Sequence, residues 1–144
     1  MRIPTLFCAA AMAVSVNAAA TDVRVDHAWM RATLPGQRVA AGFMDLTAGR
    51  DLVLVGASSP VAETVEFHSM GVADGKMQMR ALKTIALPKG KTVGLAPGGM
   101  HVMLIGIKAP IGAGRPVPVQ LVFEDGRGGK STATVEMRVS PRQD

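Results

Sequence analysis

The stretch AETVEFHSMGVADGKMQMRAL, residues 62–82, alternates polar and apolar side chains on both sides of a turn signal. Alternation with a period of two is typical of β-strands, so Ala62–Ser69 and Lys76–Leu82 are predicted as strands. Asp74 and Gly75, which separate the two runs, favour a chain reversal. The stretch therefore predicts two antiparallel strands that follow one another directly.

Short runs of the same kind recur along the chain, and most of the 16 glycines and 9 prolines lie between them. No amphipathic helix of ordinary length competes with this pattern. The runs predict a single domain built as an antiparallel β-sandwich or barrel. The further strands are predicted at Val39–Thr47, Asp51–Ala57, Lys91–Leu95, His101–Ile107, Val117–Phe123 and Ser131–Val139.

Residues 1–20 have the pattern of a secretory signal peptide. Arg2 is positively charged, Leu6–Val16 is almost entirely apolar, and Val16-Asn17-Ala18 or Ala18-Ala19-Ala20 offers small residues before a cleavage point. We therefore predict that residues 21–144 form the exported domain. The apolar run is shorter than the roughly 20 residues of a membrane span, and no later segment is long and apolar enough, so no span is expected.

Cys8 is the only cysteine of the chain and lies inside the predicted leader. Leu6 and Phe7 precede it where a lipoprotein signal would have small residues, so lipid attachment is not expected. The exported domain then carries no thiol, which excludes disulfides and thiolate metal sites. It also excludes a blue-copper electron-transfer protein, because such a site needs a cysteine ligand.

Charge and composition exclude several other functions. The formal net charge of +5 falls to +4 without Arg2, and the basic residues are scattered. Aromatic residues make up only 3% of the chain and tyrosine is absent, so there is no stacking platform for nucleic acid. The acidic residues form neither a Ca²⁺ or Mg²⁺ cluster nor a catalytic motif, and no nucleophile elbow occurs, so we do not expect an enzyme.

Histidine and methionine are concentrated in the middle of the chain. Two of the three histidines and five of the ten methionines lie between residues 68 and 103. Taken singly, a His or Met on a strand is usually packed or solvated. Imidazole combined with thioether is, however, the donor set that suits Cu(I). Because residues two apart share a strand face, three pairs are expected to project together: His68 with Met70, Met77 with Met79, and His101 with Met103.

The spacing of these residues resembles that of a known family. His68, ten residues, Met79, twenty-one residues and then His101-Val102-Met103 is similar to the full motif of the periplasmic copper chaperones called PCu(A)C. The resemblance extends over most of the exported domain. It includes the segments Ala28–Thr33, Pro35-Gly36, Ala40–Phe43, Glu66–Met70 and Leu95–Leu104.

The resemblance implies a cupredoxin-like Greek-key fold that binds one Cu(I) per chain through His68, Met79, His101 and Met103. It also implies a monomeric periplasmic protein that delivers copper to a copper-centre subunit of cytochrome c oxidase or to another copper metallochaperone. A periplasmic copper storage or resistance protein without a dedicated delivery partner is the alternative, since storage and delivery use the same ligands.

Four further residues are outside this motif. Met70, Met77 and Met100 are expected to pack rather than to act as transient ligands. His27 is expected to be solvated or to cap the backbone rather than to bind metal. The turn Pro97-Gly98-Gly99 directly before His101 predicts that the metal site lies at the rim of the barrel.

Overall fold

The structure, a computed structural model, describes residues 22–141. The predicted signal peptide therefore lies outside the described residues. Within residues 22–141, most of the chain belongs to ten strands. Within residues 22–141 there is no helix of the length and hydrophobicity that crossing a bilayer requires. The strands are β1 (Val23–Arg31), β2 (Val39–Ala48), β3 (Leu52–Ser58), β4 (Ala62–Ala73), β5 (Lys76–Leu82), β6 (Ile85–Leu87), β7 (Thr92–Leu95), β8 (His101–Ile107), β9 (Val117–Asp125) and β10 (Lys130–Ser140).

The strands form two packed sheets that are joined at one edge. Neighbouring strands follow the order β5-β4-β8-β2-β1-β10-β9-β3-β6, and β7 pairs with β2 beyond the end of β8. All of these pairs are antiparallel except β1 with β10, where Trp29 lies opposite Arg138 and joins the two sheets. The all-β, cupredoxin-like sandwich predicted from the sequence is confirmed.

The hydrophobic core lies between the two sheets. Alternation along β4 places Phe67 in this core, with 3% of its surface exposed, and turns His68 to the other face, as predicted. Along β8, Val102 and Leu104 are buried in the core, and Met103 between them points to the other face. The largest fully buried side chains are Phe123, Met30, Met44, Leu46, Leu54, Leu87, Leu95, Leu104, Leu121 and Met137.

The β4–β5 hairpin has the tight turn that its sequence predicts. Asp74 and Gly75 have φ angles of 53° and 74°, as the two central residues of a type I′ turn require. The turn sets the register that places Met70 opposite Met79 and Val72 opposite Met77. β4 consequently runs four residues further than predicted, to Ala73. β5 forms one edge of the sheet, and its residues from Lys76 to Ala81 are exposed.

Two strands, β1 and β6, were not predicted. β6 has only three residues. In β1 the alternation is interrupted by a β-bulge between Asp26 and Trp29, where the register with β2 shifts. His27 occupies the bulge with a φ of 54°, and its Nδ1 lies 3.1 Å from Asp45 Oδ2. The bulge allows Val25 and Ala28, three residues apart, to pack against the same core.

The connection between β9 and β10 is organised by Asp125. Its Oδ1 accepts hydrogen bonds from the backbone N–H groups of Arg127 and Gly129, at 2.8 and 2.9 Å. Its other carboxylate oxygen lies 3.2 Å from the Arg50 guanidinium. The two backbone hydrogen bonds, followed by the charge of Arg50, lower the pKa of Asp125 below its ordinary value of 3.8.

This lowered pKa predicts how stability depends on pH. Ionised Asp125 stabilises the fold at pH values above its ordinary pKa, and that contribution is lost as the pH falls through the lower pKa of the folded chain. Asp125→Asn should therefore unfold at lower urea concentration than the wild type near neutral pH. The difference in urea midpoint between the variant and the wild type should narrow below about pH 4, as the wild-type carboxylate becomes protonated. Urea unfolding of both proteins over this pH range tests the prediction. A difference in midpoint that stays constant down to the most acidic pH would contradict it.

Candidate metal centre

The candidate site lies on the outer face of the sheet that contains β4 and β8. The register between these strands places His68 directly opposite His101. Their ring centroids are 5.8 Å apart and the ring planes are inclined by 38°. Because Phe67 and Val102 are held in the core, the two imidazoles must project together from the opposite face. The sheet thus brings together two residues that are 33 positions apart in the sequence.

His101 is the best-covered polar side chain of the site. It stands at the first position of β8, immediately after the turn that was predicted to bring the site to the rim. Only 5% of its surface is exposed, however, so the prediction that it lies at the open rim is corrected: it is a covered side chain at a strand end. Its Nδ1 lies 3.3 Å from the Gly99 carbonyl oxygen, which also accepts the backbone N–H of Met70 at 3.2 Å. The same carbonyl therefore holds the turn against β4 and orients the ring.

His68 combines a polar partner with an unpartnered nitrogen. Its Nε2 lies 2.9 Å from Glu66 Oε2, two residues away on the same strand face. Its side chain is 16% exposed. Nδ1 is buried and has no hydrogen-bond partner among the described residues. A buried nitrogen without a partner is costly to leave unsatisfied, and a metal ion is one group that would satisfy it.

Three methionines share a cleft with His101. Met103 lies two residues beyond His101 on β8, opposite Glu66, and Met79 lies on β5 opposite Met70. Met70, Met79, His101 and Met103 all line one cleft of about 470 Å³. Three of the four predicted ligands therefore stand on the adjacent strands β4 and β8. Met79 stands one strand further out and is 50% exposed.

An aromatic layer supports the site on its other side. Phe43 of β2 is buried, with its ring centroid 6.4 Å from that of His101 and 4.8 Å from that of Trp29. The guanidinium carbon of Arg31 lies 5.9 Å from the Trp29 ring centroid and 5.7 Å from that of Phe43, within cation–π range. Trp29 is thus a half-buried residue at the margin of the site, and Phe43 restricts the position of the His101 ring.

Sequence reasoning missed Glu66, Phe43 and Arg31 as parts of the site. Glu66 could have been found, because it lies two residues before His68 and period-two alternation places both on one face. Phe43 and Arg31 lie in segments that resemble the family, but alternation did not link them to the histidines, since the pairing of β2 with β8 and with β1 brings them to the site.

The remaining predictions have different outcomes. Met100 packs against the core, as expected, whereas Met77 is 61% exposed, so the prediction that it packs is wrong. His27 is exposed and pairs with Asp45, as expected of a solvated residue. Within residues 22–141, no group of three or more His, Cys, Asp or Glu side chains is placed to hold a metal ion. The His101 imidazole and the thioethers of Met70, Met79 and Met103 line the cleft, and the His68 ring centroid lies 5.8 Å from that of His101.

The fold and this donor set define a cupredoxin-like domain with a candidate site for a soft metal ion. The chain belongs to the LpqE-like family, described as "Putative lipoprotein LpqE-like", whose model matches residues 23–139. A relative from Leifsonia xyli subsp. xyli, "Putative lipoprotein Lxx21020", is 38% identical over 108 residues. The match covers 74% of this chain and 65% of the relative's length.

The chain is also similar to solved structures, among them a PCuAC domain. The copper-bound PCuAC domain from PmoF2 is 28% identical, with a TM-score of 0.62 and coverage of 83% of this chain and 94% of that domain. Apo-DR1885 from Deinococcus radiodurans is also 28% identical, with a TM-score of 0.63 and coverage of 99% and 96%. The Cu(I) form of DR1885 is 29% identical, with a TM-score of 0.52 and coverage of 82% and 77%. The resemblance to the PCu(A)C family found in the sequence is confirmed.

The two histidines are predicted to hold opposite tautomers in the metal-free protein. A carboxylate and a carbonyl oxygen only accept hydrogen bonds, so neutral His68 should carry its proton on Nε2, toward Glu66, and neutral His101 on Nδ1, toward Gly99. Two-bond ¹H–¹⁵N correlation spectra of the metal-free protein at alkaline pH measure this directly. Glu66→Gln is the matched variant for His68 and should leave the His101 pattern unchanged. Identical tautomers in the two rings would contradict the assignment.

Proposed function

We propose that this protein is a periplasmic copper chaperone that binds one Cu(I) through His68, Met79, His101 and Met103. The observation that carries the proposal is the buried, unpartnered Nδ1 of His68 on a ring 5.8 Å from that of His101. With the Glu66 and Gly99 contacts in place, His68 Nδ1 and His101 Nε2 are the nitrogens whose lone pairs remain available to a metal.

The separation of the rings suits a shared ion. A metal–imidazole bond of about 2.0 Å places the metal roughly 3 Å from the ring centroid, so two rings on one ion have centroids up to about 6 Å apart. The 5.8 Å between His68 and His101 falls within that limit. Two neutral nitrogens and thioether sulfurs favour Cu(I) over hard cations, which prefer oxygen ligands.

Comparisons with known proteins support copper as the cargo. The PmoF2 domain is described as copper-bound and one DR1885 structure as its Cu(I) form, and both are 28% to 29% identical to this chain. The sequence match to the LpqE-like family covers residues 23–139, which includes every proposed ligand.

The construction of the site favours a carrier over an enzyme. His101 and Phe43 are buried, so one side of the site is held rigidly. Met79 is half exposed on an edge strand, so the other side can be reached by ligands of a partner. A thioether is a neutral and weak donor, which permits an incoming ligand to replace it without the release of a proton.

Export is part of the proposal. The leader pattern of residues 1–20 directs the chain out of the cytoplasm, and the family description and the Leifsonia relative both carry the term lipoprotein. We propose that residues 21–144 act as a monomeric periplasmic domain. Leu6 and Phe7 before Cys8 argue for cleavage after residues 18–20 rather than for lipid attachment at this cysteine.

The ligand set predicts the effect of substitutions on copper binding. The exported chain should bind one equivalent of Cu(I), and His68→Ala, His101→Ala or the double change Met79→Leu with Met103→Leu should abolish tight binding. Competition against a chromophoric Cu(I) chelator under anaerobic conditions measures the affinity. Met→Leu nearly conserves volume, so a loss of binding without loss of fold assigns the effect to sulfur.

Met100→Leu is the matched control for these variants, because Met100 lies next to His101 but packs against the core. It should keep full affinity. Circular dichroism and thermal unfolding establish that each variant is folded. Undiminished Cu(I) affinity in folded His68→Ala or His101→Ala would show that the cluster is not the copper site.

Delivery and storage are separated by exchange with an acceptor. A half-exposed thioether at the site predicts that Cu(I) moves within seconds to a tighter-binding acceptor, such as the soluble copper-binding domain of an oxidase subunit. Stopped-flow mixing of the Cu(I)-loaded protein with the acceptor measures the rate, and mixing across a dialysis membrane measures release without contact. Retention of Cu(I) for hours in the mixed sample would favour the storage function.

A further inference from the structure

The β4–β5 hairpin carries apolar side chains that the core does not use. Val72 is 70% exposed and Met77 61% exposed, and they lie opposite one another near the tip of the hairpin. Large apolar residues are seldom left in water without a reason when they are contiguous. Met77 in particular does not belong to the side chains that pack against the core.

These side chains lie on the same face of the sheet as His68 and extend it toward the hairpin tip. Met70 and Val72 share a strand face with His68, since each is two residues from the next. Their partners on β5 are Met79 and Met77. Three thioethers therefore extend outward from the two imidazoles in one continuous strip along the hairpin, with Met70 nearest to His68 and Met77 nearest to the turn.

Directly opposed side chains in an antiparallel pair have Cβ atoms about 4.5–5.5 Å apart, and diagonal neighbours remain within reach of long side chains. Met70 and Met79 are a directly opposed pair, and Met77 is two residues from Met79. The long, flexible methionine side chains can thus converge on one ion above the hairpin. Three thioethers are a soft donor set suited to Cu(I).

We propose that Met70, Met77 and Met79 form an outer Cu(I) site that receives copper and passes it to the inner site at His68 and His101. The inference rests on the proposed copper function and adds to it a weaker, transient site, which shares Met79 with the inner site and so is not filled at the same time. Copper remains Cu(I) throughout: its bonds to Met70 and Met77 break as bonds to His68, His101 and Met103 form, and Met79 can remain bound in both states. No electron is transferred, and the neutral thioethers release no proton.

The first test uses loading kinetics of the full exported chain. Cu(I) supplied as its bicinchoninate complex should load Met77→Leu several-fold more slowly than the wild type, while the final Cu(I) stoichiometry remains one per chain. Leucine keeps the apolar surface and removes the sulfur, so a slower rate reports ligation rather than surface hydrophobicity. Met100→Leu, which removes a core-packed sulfur beside His101, should load at the wild-type rate.

The second test detects the metal at the outer site without relying on transfer. Ag(I), a redox-inert substitute for Cu(I), is titrated into protein labelled with ¹³C at the methionine methyl groups, in a His68→Ala background that keeps the buried His101. The methyl resonances of Met70, Met77 and Met79 should shift together, and adding Met77→Leu should weaken the binding that the other two report.

The outcomes distinguish the outer site from the proposed function. If the wild type binds one Cu(I) but the Met77 methyl never shifts and Met77→Leu loads at the normal rate, the outer site is overturned and the copper function stands. If the wild type itself binds no Cu(I), the proposed function fails. A slower Met77→Leu together with a Met77 methyl shift supports the outer site.

Discussion

The register between β4 and β8 is the constraint on which the rest of the site depends. A shift of one residue would move His68 into the core and Phe67 out to solvent, because the side-chain period of a strand is two. The burial of Phe67 and Val102 therefore determines that the two histidines face outward and opposite each other. Hydrophobic packing on one face of the sheet thus positions polar side chains on the other at no additional conformational cost.

The outer face is built from strands that contribute unequal rigidity. β2 lies in the interior of the sheet and supplies buried Phe43, which restricts the His101 ring. The bulge at His27 changes the phase of β1, so that Trp29 faces the site while Ala28 still packs against the core. A strained positive φ at a non-glycine residue is thereby associated with the aromatic support of the site. On the opposite side β5 is an exposed edge strand, and the Met79 side chain that it supplies is half exposed.

Period-two alternation made much of this structure predictable from the sequence. It gave eight of the ten strands, the core role of Phe67 and the common face of His68 and Met70. It failed for β1, where the bulge breaks the alternation, and for β6, whose three residues are too few to show any. The burial of His101 was not predictable either, because the groups that cover it come from β2 and from the turn before β8.

The contrast between a rigid and a mobile side explains how one site can be both selective and exchangeable. Glu66 and Gly99 hold the two imidazoles, so the proposed copper site would need little ordering on binding. The methionines of the exposed hairpin would lose more conformational freedom on binding copper, which would weaken their hold on it. Exchange should therefore begin at the methionine side and end at the histidine side. The direction of copper movement across this protein would then follow from the burial pattern of the sheet, with no conformational switch required.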